Sequence, residues 1–246
     1  MKNFCVSLTT IPPRFKTLEK TLKSLKNQTI KPNKIFLNLP RNFERFNSND
    51  IDIKYLENYF ENLEIVTCED HGSGTKLLGS INKILKYDYV VLVDDDHIYK
   101  KYMLELFQKQ FLIDPDKSYS FCVYDILDCK VAQGADGFLI NTKYLKKILN
   151  FFDNYVRENE KLIYNDDLWI SIYLNKVLNI DIKSTFSLIK QPLFFKIKSI
   201  YKKHTQLGAI IHTYNKDRKK ARKLKYEENC KSYLLLKDKT KNFNFV

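Results

Sequence analysis

The sequence predicts an α/β fold, with a mixed, mostly parallel central sheet flanked by helices and a basic helical segment at its C-terminal end. Three observations lead there. The run Tyr-Val-Val-Leu-Val at 89–93 is apolar at every position, and strands without polar alternation are buried on both faces, as at the centre of a sheet covered by helices. Such runs alternate along the chain with segments whose leucines and isoleucines recur at helical spacing, the pattern of an α/β sheet. From about residue 190 the charge turns basic, most densely in Lys-Asp-Arg-Lys-Lys-Ala-Arg-Lys-Leu-Lys at 216–225.

The elements follow in order. Residues 3–10 are apolar and rich in β-formers, and Pro12-Pro13 stops them before a helix with Leu18, Leu22 and Leu25 on one face. Residues 34–39 read as a second strand, closed by Pro40, and 63–68 as a third. After the glycine-containing turn at 69–74, residues 75–86 keep helical spacing through Leu77, Leu78, Ile81, Ile84 and Leu85, which predicts one helix. The strand at 89–93 completes a β-α-β-β-α-β order in the first hundred residues. Beyond it the pattern predicts a helix at 100–112, reached directly from His97-Ile98-Tyr99, and a strand at 118–124. A glycine-rich turn and helices at 142–152 and 166–178 follow. A basic amphipathic helix is expected from 215 to 236, burying Ala221, Leu224, Tyr233, Leu234 and Leu235.

A chain of 246 residues with 44% hydrophobic and 14% aromatic content can bury one full core. Six glycines and six prolines leave no room for a long flexible linker. Cys5, Cys68, Cys122, Cys129 and Cys230 are odd in number and lack CxxC spacing, which predicts reduced thiols in a reducing compartment. The apolar start is too short for a secretory signal, and no run approaches the roughly 18 apolar residues of a membrane span. A cytoplasmic protein is expected, with at most a peripheral membrane contact through the basic C-terminal helix. The net charge of +13 would attract any polyanion. Nucleic acid is not the expected partner: zinc spacing, an RNP-like aromatic pattern and a helix-turn-helix are all missing.

The residues that point to chemistry are acidic. Asp94, Asp95 and Asp96 stand at the carboxyl end of the most apolar strand, where open α/β sheets bind their ligands. Adjacent carboxylates repel, and a divalent cation such as Mg2+ or Mn2+, bridging to phosphate oxygens, would neutralise them. A solvated acidic turn is the alternative. Asp166-Asp167 opens a predicted helix, where the helix dipole alone would favour carboxylates.

Val-Asp-Asp-Asp-His-Ile-Tyr at 93–99 resembles the DxD element of GT-A glycosyltransferases, whose fold is Rossmann-like. Three more segments are similar to the family-2-like branch of that fold: Thr-Thr-Ile-Pro-Pro-Arg at 9–14 with the second strand after it, the turn and helix start at 69–81, and Asn-Asp-Asp-Leu-Trp at 165–169. The resemblance spans residues 3–180 and implies a single GT-A catalytic domain over 1–246. Within it, 1–100 is the nucleotide-binding half, 101–190 the acceptor- and sugar-binding half, and 191–246 a basic helical extension. It implies transfer from a nucleoside-diphosphate sugar, UDP-linked as is commonest in the family, to a hydroxyl of a glycan, glycolipid or protein-linked acceptor. By the same resemblance Thr9, Thr10, Arg14 and Asp70 lie at the nucleoside, and Lys76 near the diphosphate. Asp94 and Asp95 would reach the ribose or the metal, and Asp96 the metal, with the exact register of D-x-D along the three aspartates open. Gly134, Asp136 and Gly137 would line the donor sugar. Asp167 is the implied general base of an inverting reaction and Asp166 its positioning neighbour. Asp94, Asp96 and a C-terminal histidine, His212 rather than His204, would hold Mn2+ or Mg2+, with His97 a turn residue or a partner behind the ligands. A nucleotidyltransferase is the alternative enzyme, against which the glycine-free loop after the first strand speaks.

Overall fold

The computed structural model describes residues 2–46, 55–185, 201–203 and 218–240. Its centre is a sheet of seven strands among the described residues. The first half supplies β1 (Phe4–Thr9), α1 (Phe15–Lys26), β2 (Lys34–Pro40), the short α2 (Tyr55–Tyr59), β3 (Leu63–Cys68), α3 (Thr75–Leu78), α4 (Ile81–Ile84) and β4 (Tyr89–Leu92). The second half adds β5 (His97–Tyr99), α5 (Met103–Ile113), β6 (Ser118–Ser120), β7 (Val123–Ile126), β8 (Cys129–Ala132), β9 (Phe138–Asn141), α6 (Ile148–Tyr155), α7 (Glu160–Ile163), α8 (Asp166–Ile172), β10 (Ile182–Ser184), β11 (Tyr201–Lys203) and α9 (Arg218–Lys239).

The sheet order is β10-β6-β9-β4-β1-β2-β3. β1 pairs in parallel with β2 and β4, β2 with β3, and β6 with β10, while β9 runs antiparallel to both β4 and β6. The alternation of side chains along a strand divides the core into two layers. Phe4, Val6 and Leu8 of β1 and Tyr89 and Val91 of β4 pack with Leu18, Leu22 and Leu25 of α1 and with Met103, Leu104, Phe107 and Phe111 of α5. Cys5, Val90 and Leu92 face the other way, toward Leu77, Ile84, Phe151, Phe152 and Trp169. Tyr233 and Leu236 of α9 close that second layer.

Six segments differ from the sequence expectation. His97–Tyr99 is a strand, pairing antiparallel with β11, and the helix begins only at Met103. The helix expected over 75–86 breaks into α3 and α4 at Gly79-Ser80. A Cβ at Gly79 would lie 2.7 Å from Cys68 Sγ and 2.9 Å from Asn38, so this glycine lets the helix approach the sheet. The Lys76 carbonyl then accepts from Ser7 Oγ at 2.5 Å and Asn38 Nδ2 at 3.2 Å. The expected strand at 118–124 is divided between β6 of the main sheet and β7 of a hairpin with β8. The helix expected at 142–152 is a 3-10 turn at Thr142–Tyr144 followed by α6, and the one at 166–178 ends as a π-helical turn at Tyr173–Val177. On α9, Leu224, Leu234 and Leu235 are exposed, because the inward face is set by Asn229, Tyr233 and Leu236 at helical spacing. No helix among the described residues is long and apolar enough to cross a membrane.

Candidate active site

The register of β1 against β4, with Ser7 opposite Leu92, brings the end of β1 beside the three aspartates. Thr10 Oγ1 donates to Asp95 Oδ2 at 2.6 Å, and the Arg14 guanidinium donates to Asp95 Oδ1 at 2.5 Å and stands 3.4 Å from Asp96 Oδ2. The backbone is held as firmly as the side chains. Thr21 Oγ1 of α1 lies 2.7 Å from the Asp95 carbonyl and 2.8 Å from that of His97, and the Tyr99 hydroxyl accepts the Asp94 N–H at 2.9 Å. Asp95 and Asp96 are 4% and 3% exposed, which rules out a solvated turn.

Asp94, Asp96 and His97 each offer one ligand atom, and these atoms lie within 4.8 Å of one another. His97 Nδ1 rests directly against Asp96 Oδ1. Two hard carboxylate oxygens and an imidazole nitrogen suit Mn2+ or Mg2+ by their chemistry. His97 therefore stands in the cluster itself, while His204 and His212 lie outside the described residues.

Lys76 joins the two acidic groups. It is almost fully buried on α3, with Nζ 2.5 Å from Asp94 Oδ1 and 3.0 Å from Asp166 Oδ2. Burial alone would lower its pKa; the carboxylates of Asp166 and Asp94 outweigh it and hold the ammonium well above the ordinary lysine value. Burial likewise opposes ionisation of Asp94, but Lys76 outweighs it and the pKa falls. At Asp95 burial prevails over Arg14 and Thr10, and the pKa rises.

Asp166 and Asp167 open α8. Asp167 Oδ1 accepts the Gly134 N–H at 2.8 Å, and a Cβ on Gly134 would lie 2.6 Å from that oxygen. Only glycine permits this approach. Burial, reinforced by the neighbouring Asp166 carboxylate, pushes the Asp167 carboxyl up to about 7. A carboxyl held there can exchange a proton near neutrality.

The three aspartates, Thr10, Arg14, Lys76, Asp166 and Asp167 line one cleft of about 340 Å³ together with Thr9, Asp70, Ser73, Phe43, Arg45, Phe46, Tyr164 and Lys225, and His97 is not among the lining residues. Thr9 Oγ1 donates to the Asn38 carbonyl, and Asp70 accepts the N–H groups of Gly72 and Glu44, which ties the 41–46 loop to the rim. Arg45 lies over the rings of Phe46 and Tyr164, each 4.9 Å from its guanidinium carbon. Gly134, Asp136 and Gly137 are not among the lining residues. Gly134 backs Asp167. Asp136 is buried in the 3-10 turn Gly134–Asp136, and Gly137, at φ 92°, turns the chain tightly over Phe107 and Met103. Trp169 is core, packed on Phe152 and on Gly74. Sequence reasoning missed Arg45, Phe46, Tyr164 and Lys225. The aromatic-basic pattern Arg-Asn-Phe-Glu-Arg-Phe at 41–46 was the available signal.

No protein-family model matches the chain, and neither does any curated protein. Solved structures do. A fragment of S. aureus TarS in complex with UDP matches at TM-score 0.50 and 18% identity over 74% of this chain and 58% of that one. The complex with UDP-GlcNAc matches at TM-score 0.51 and 16% identity, over 74% of this chain and 56% of that one. A longer S. aureus TarS structure matches at TM-score 0.54 and 14% identity, over 83% of this chain and 37% of that one. The chain therefore spans a little over half the length of the ligand-bound fragments. At such identities the likeness concerns the fold, which is that of GT-A proteins.

Proposed function

We propose that this chain is a glycosyltransferase that moves a sugar from a nucleoside-diphosphate sugar, UDP-linked as in the complexes of its structural neighbour, to an acceptor hydroxyl with inversion. The observation that carries the reading is Lys76, a buried ammonium shared between a metal-type carboxylate cluster and the acidic start of α8. A donor diphosphate and an acceptor hydroxyl need such groups side by side.

In this reading Asp167 removes the proton of the acceptor hydroxyl as that oxygen attacks the anomeric carbon. The bond from that carbon to the diphosphate oxygen breaks, and the nucleoside diphosphate leaves with the electron pair. Asp166 holds Lys76 and so keeps a positive charge near the departing phosphates. Asp94, Asp96 and His97 would hold Mn2+ or Mg2+, whose contribution when bound is to neutralise charge on the leaving diphosphate. Thr10, Arg14 and Asp70 form the nucleoside end of the cleft. The acceptor is a glycan, glycolipid or protein-linked sugar. A peripheral membrane contact through α9 is supported by Leu224, Leu234 and Leu235, exposed among its lysines.

The test is thermal stability with a panel of nucleoside diphosphates and nucleotide sugars, with and without manganese. A ligand of the native state at about 100 times its Kd should add roughly 2.7 kcal/mol. UDP should raise Tm more with manganese than without, and Asp96→Ala should erase that difference. A manganese response that survives in the variant would remove Asp96 from the metal site.

A further inference from the structure

Two cations at the cleft have no carboxylate within ion-pair distance among the described residues. Arg14 is engaged by Asp95 and Asp96, and Lys76 by Asp94 and Asp166. Arg45 and Lys225 line the same cleft without such a partner. Both flank the segment just ahead of the acidic pair. Arg45 lies 4.9 Å over the Tyr164 ring. Lys225 is one helical turn before Asn229 of α9, whose Oδ1 accepts from Asn165 Nδ2 at 2.9 Å. The Arg45 guanidinium lies over both aromatic rings, Phe46 and Tyr164. An arginine stacked on rings keeps its in-plane N–H fork for a planar or tetrahedral oxyanion.

We propose that Arg45 and Lys225 bind a phosphate group of the acceptor, so that the hydroxyl presented to Asp167 belongs to a phosphate-bearing molecule. The proposal rests on Asp167 being the base, since the acceptor must then approach from the Tyr164–Asn165 side. The donor diphosphate already has Lys76 and the carboxylates of Asp94 and Asp96 in the same cleft. A neutral sugar acceptor would offer neither cation an anionic partner, and Asp70, whose charge reaches Arg45, is already engaged by the Gly72 and Glu44 N–H groups.

The test titrates inorganic phosphate, glucose 6-phosphate and glucose into the protein saturated with UDP and manganese, followed by NMR, with the UDP affinity measured separately. Phosphate and glucose 6-phosphate are expected to bind the UDP-saturated protein and glucose is not. Arg45→Gln should weaken phosphate about tenfold and Lys225→Gln about threefold, with the UDP affinity of both unchanged. Arg45 is exposed, and an unchanged Tm verifies that its variant is folded. Competition between phosphate and UDP, or UDP binding weakened by Arg45→Gln, would assign these cations to the donor and overturn the proposal. So would phosphate binding indifferent to both substitutions. Failure of the donor reading is distinguishable: if UDP does not bind, the phosphate titration of the UDP-free protein and its two variants still decides the role of Arg45 and Lys225.

Discussion

Asp167 must be ionised to accept a proton, and its surroundings oppose ionisation. With its carboxyl pushed up to about 7, kcat should rise about tenfold per pH unit below neutrality and level off above it. Asp167→Asn should lower kcat about 10²- to 10⁴-fold with UDP affinity near that of the wild type; a fully active variant would remove Asp167 from the role of base. The same shift acts on stability. A folded-state value above the unfolded one means that the protonated carboxyl favours the native state, fully below about pH 4, and that this advantage is lost as pH rises through about 7. The Tm of Asp167→Asn relative to wild type should therefore be higher at pH 8 than at pH 4.5, and a flat difference would contradict the shift. Asp94 to Asp96, Lys76 and Asp166-Asp167 were legible in the sequence because each sits at a strand end or a helix start, where local pattern fixes position. Arg45 and Tyr164 were not: 119 positions separate them in the numbering, and only packing of the 41–46 loop on the end of α7 brings them together. His97 was visible as a residue but not as a member of the Asp94 and Asp96 cluster, since it stands on β5, whose pairing with β11 the sequence did not show.

At the scale of elements, the break between α3 and α4 is what seats Lys76. The periodicity of 75–86 is unbroken, so hydrophobic pattern alone predicts one helix; the competing demand is the closeness of Gly79 to Asn38 and Cys68. Gly79→Ala places a methyl group inside those contacts and should cost about 1–3 kcal/mol, measurable as a lower urea midpoint at unchanged slope. A neutral effect would mean that Asn38 and Cys68 can withdraw. Because Asn38 Nδ2 also holds the Lys76 carbonyl and Ser7 Oγ, the disturbance should reach UDP affinity as well. Among the strands of the first half, β1 and β2 were readable from β-forming runs closed by prolines, and β4 from a run apolar at every position. The hairpin of β7 and β8 was hidden by a run that continues through two different sheets.

For the whole molecule, the C-terminal helix belongs to the core. Tyr233 and Leu236 are fully buried in the layer that holds α8, and the Tyr233 hydroxyl donates to Asp128 at 2.6 Å. Deleting residues 218–246 removes two side chains worth about 1.5–3 kcal/mol each and should lower Tm by at least about 6 °C. An unchanged Tm would show the helix to be energetically separate. The sequence announced this segment by its charge, which describes the outward face; which side chains point inward follows from where α8 and β7 stand. The antiparallel strand β9 has a consequence in time. Synthesis delivers Lys76 of α3 and Asp94, which follows β4, first. Asp166 emerges only after the chain has run through β9, turned back and begun α8, so the Lys76 ammonium meets its two carboxylate partners at different times.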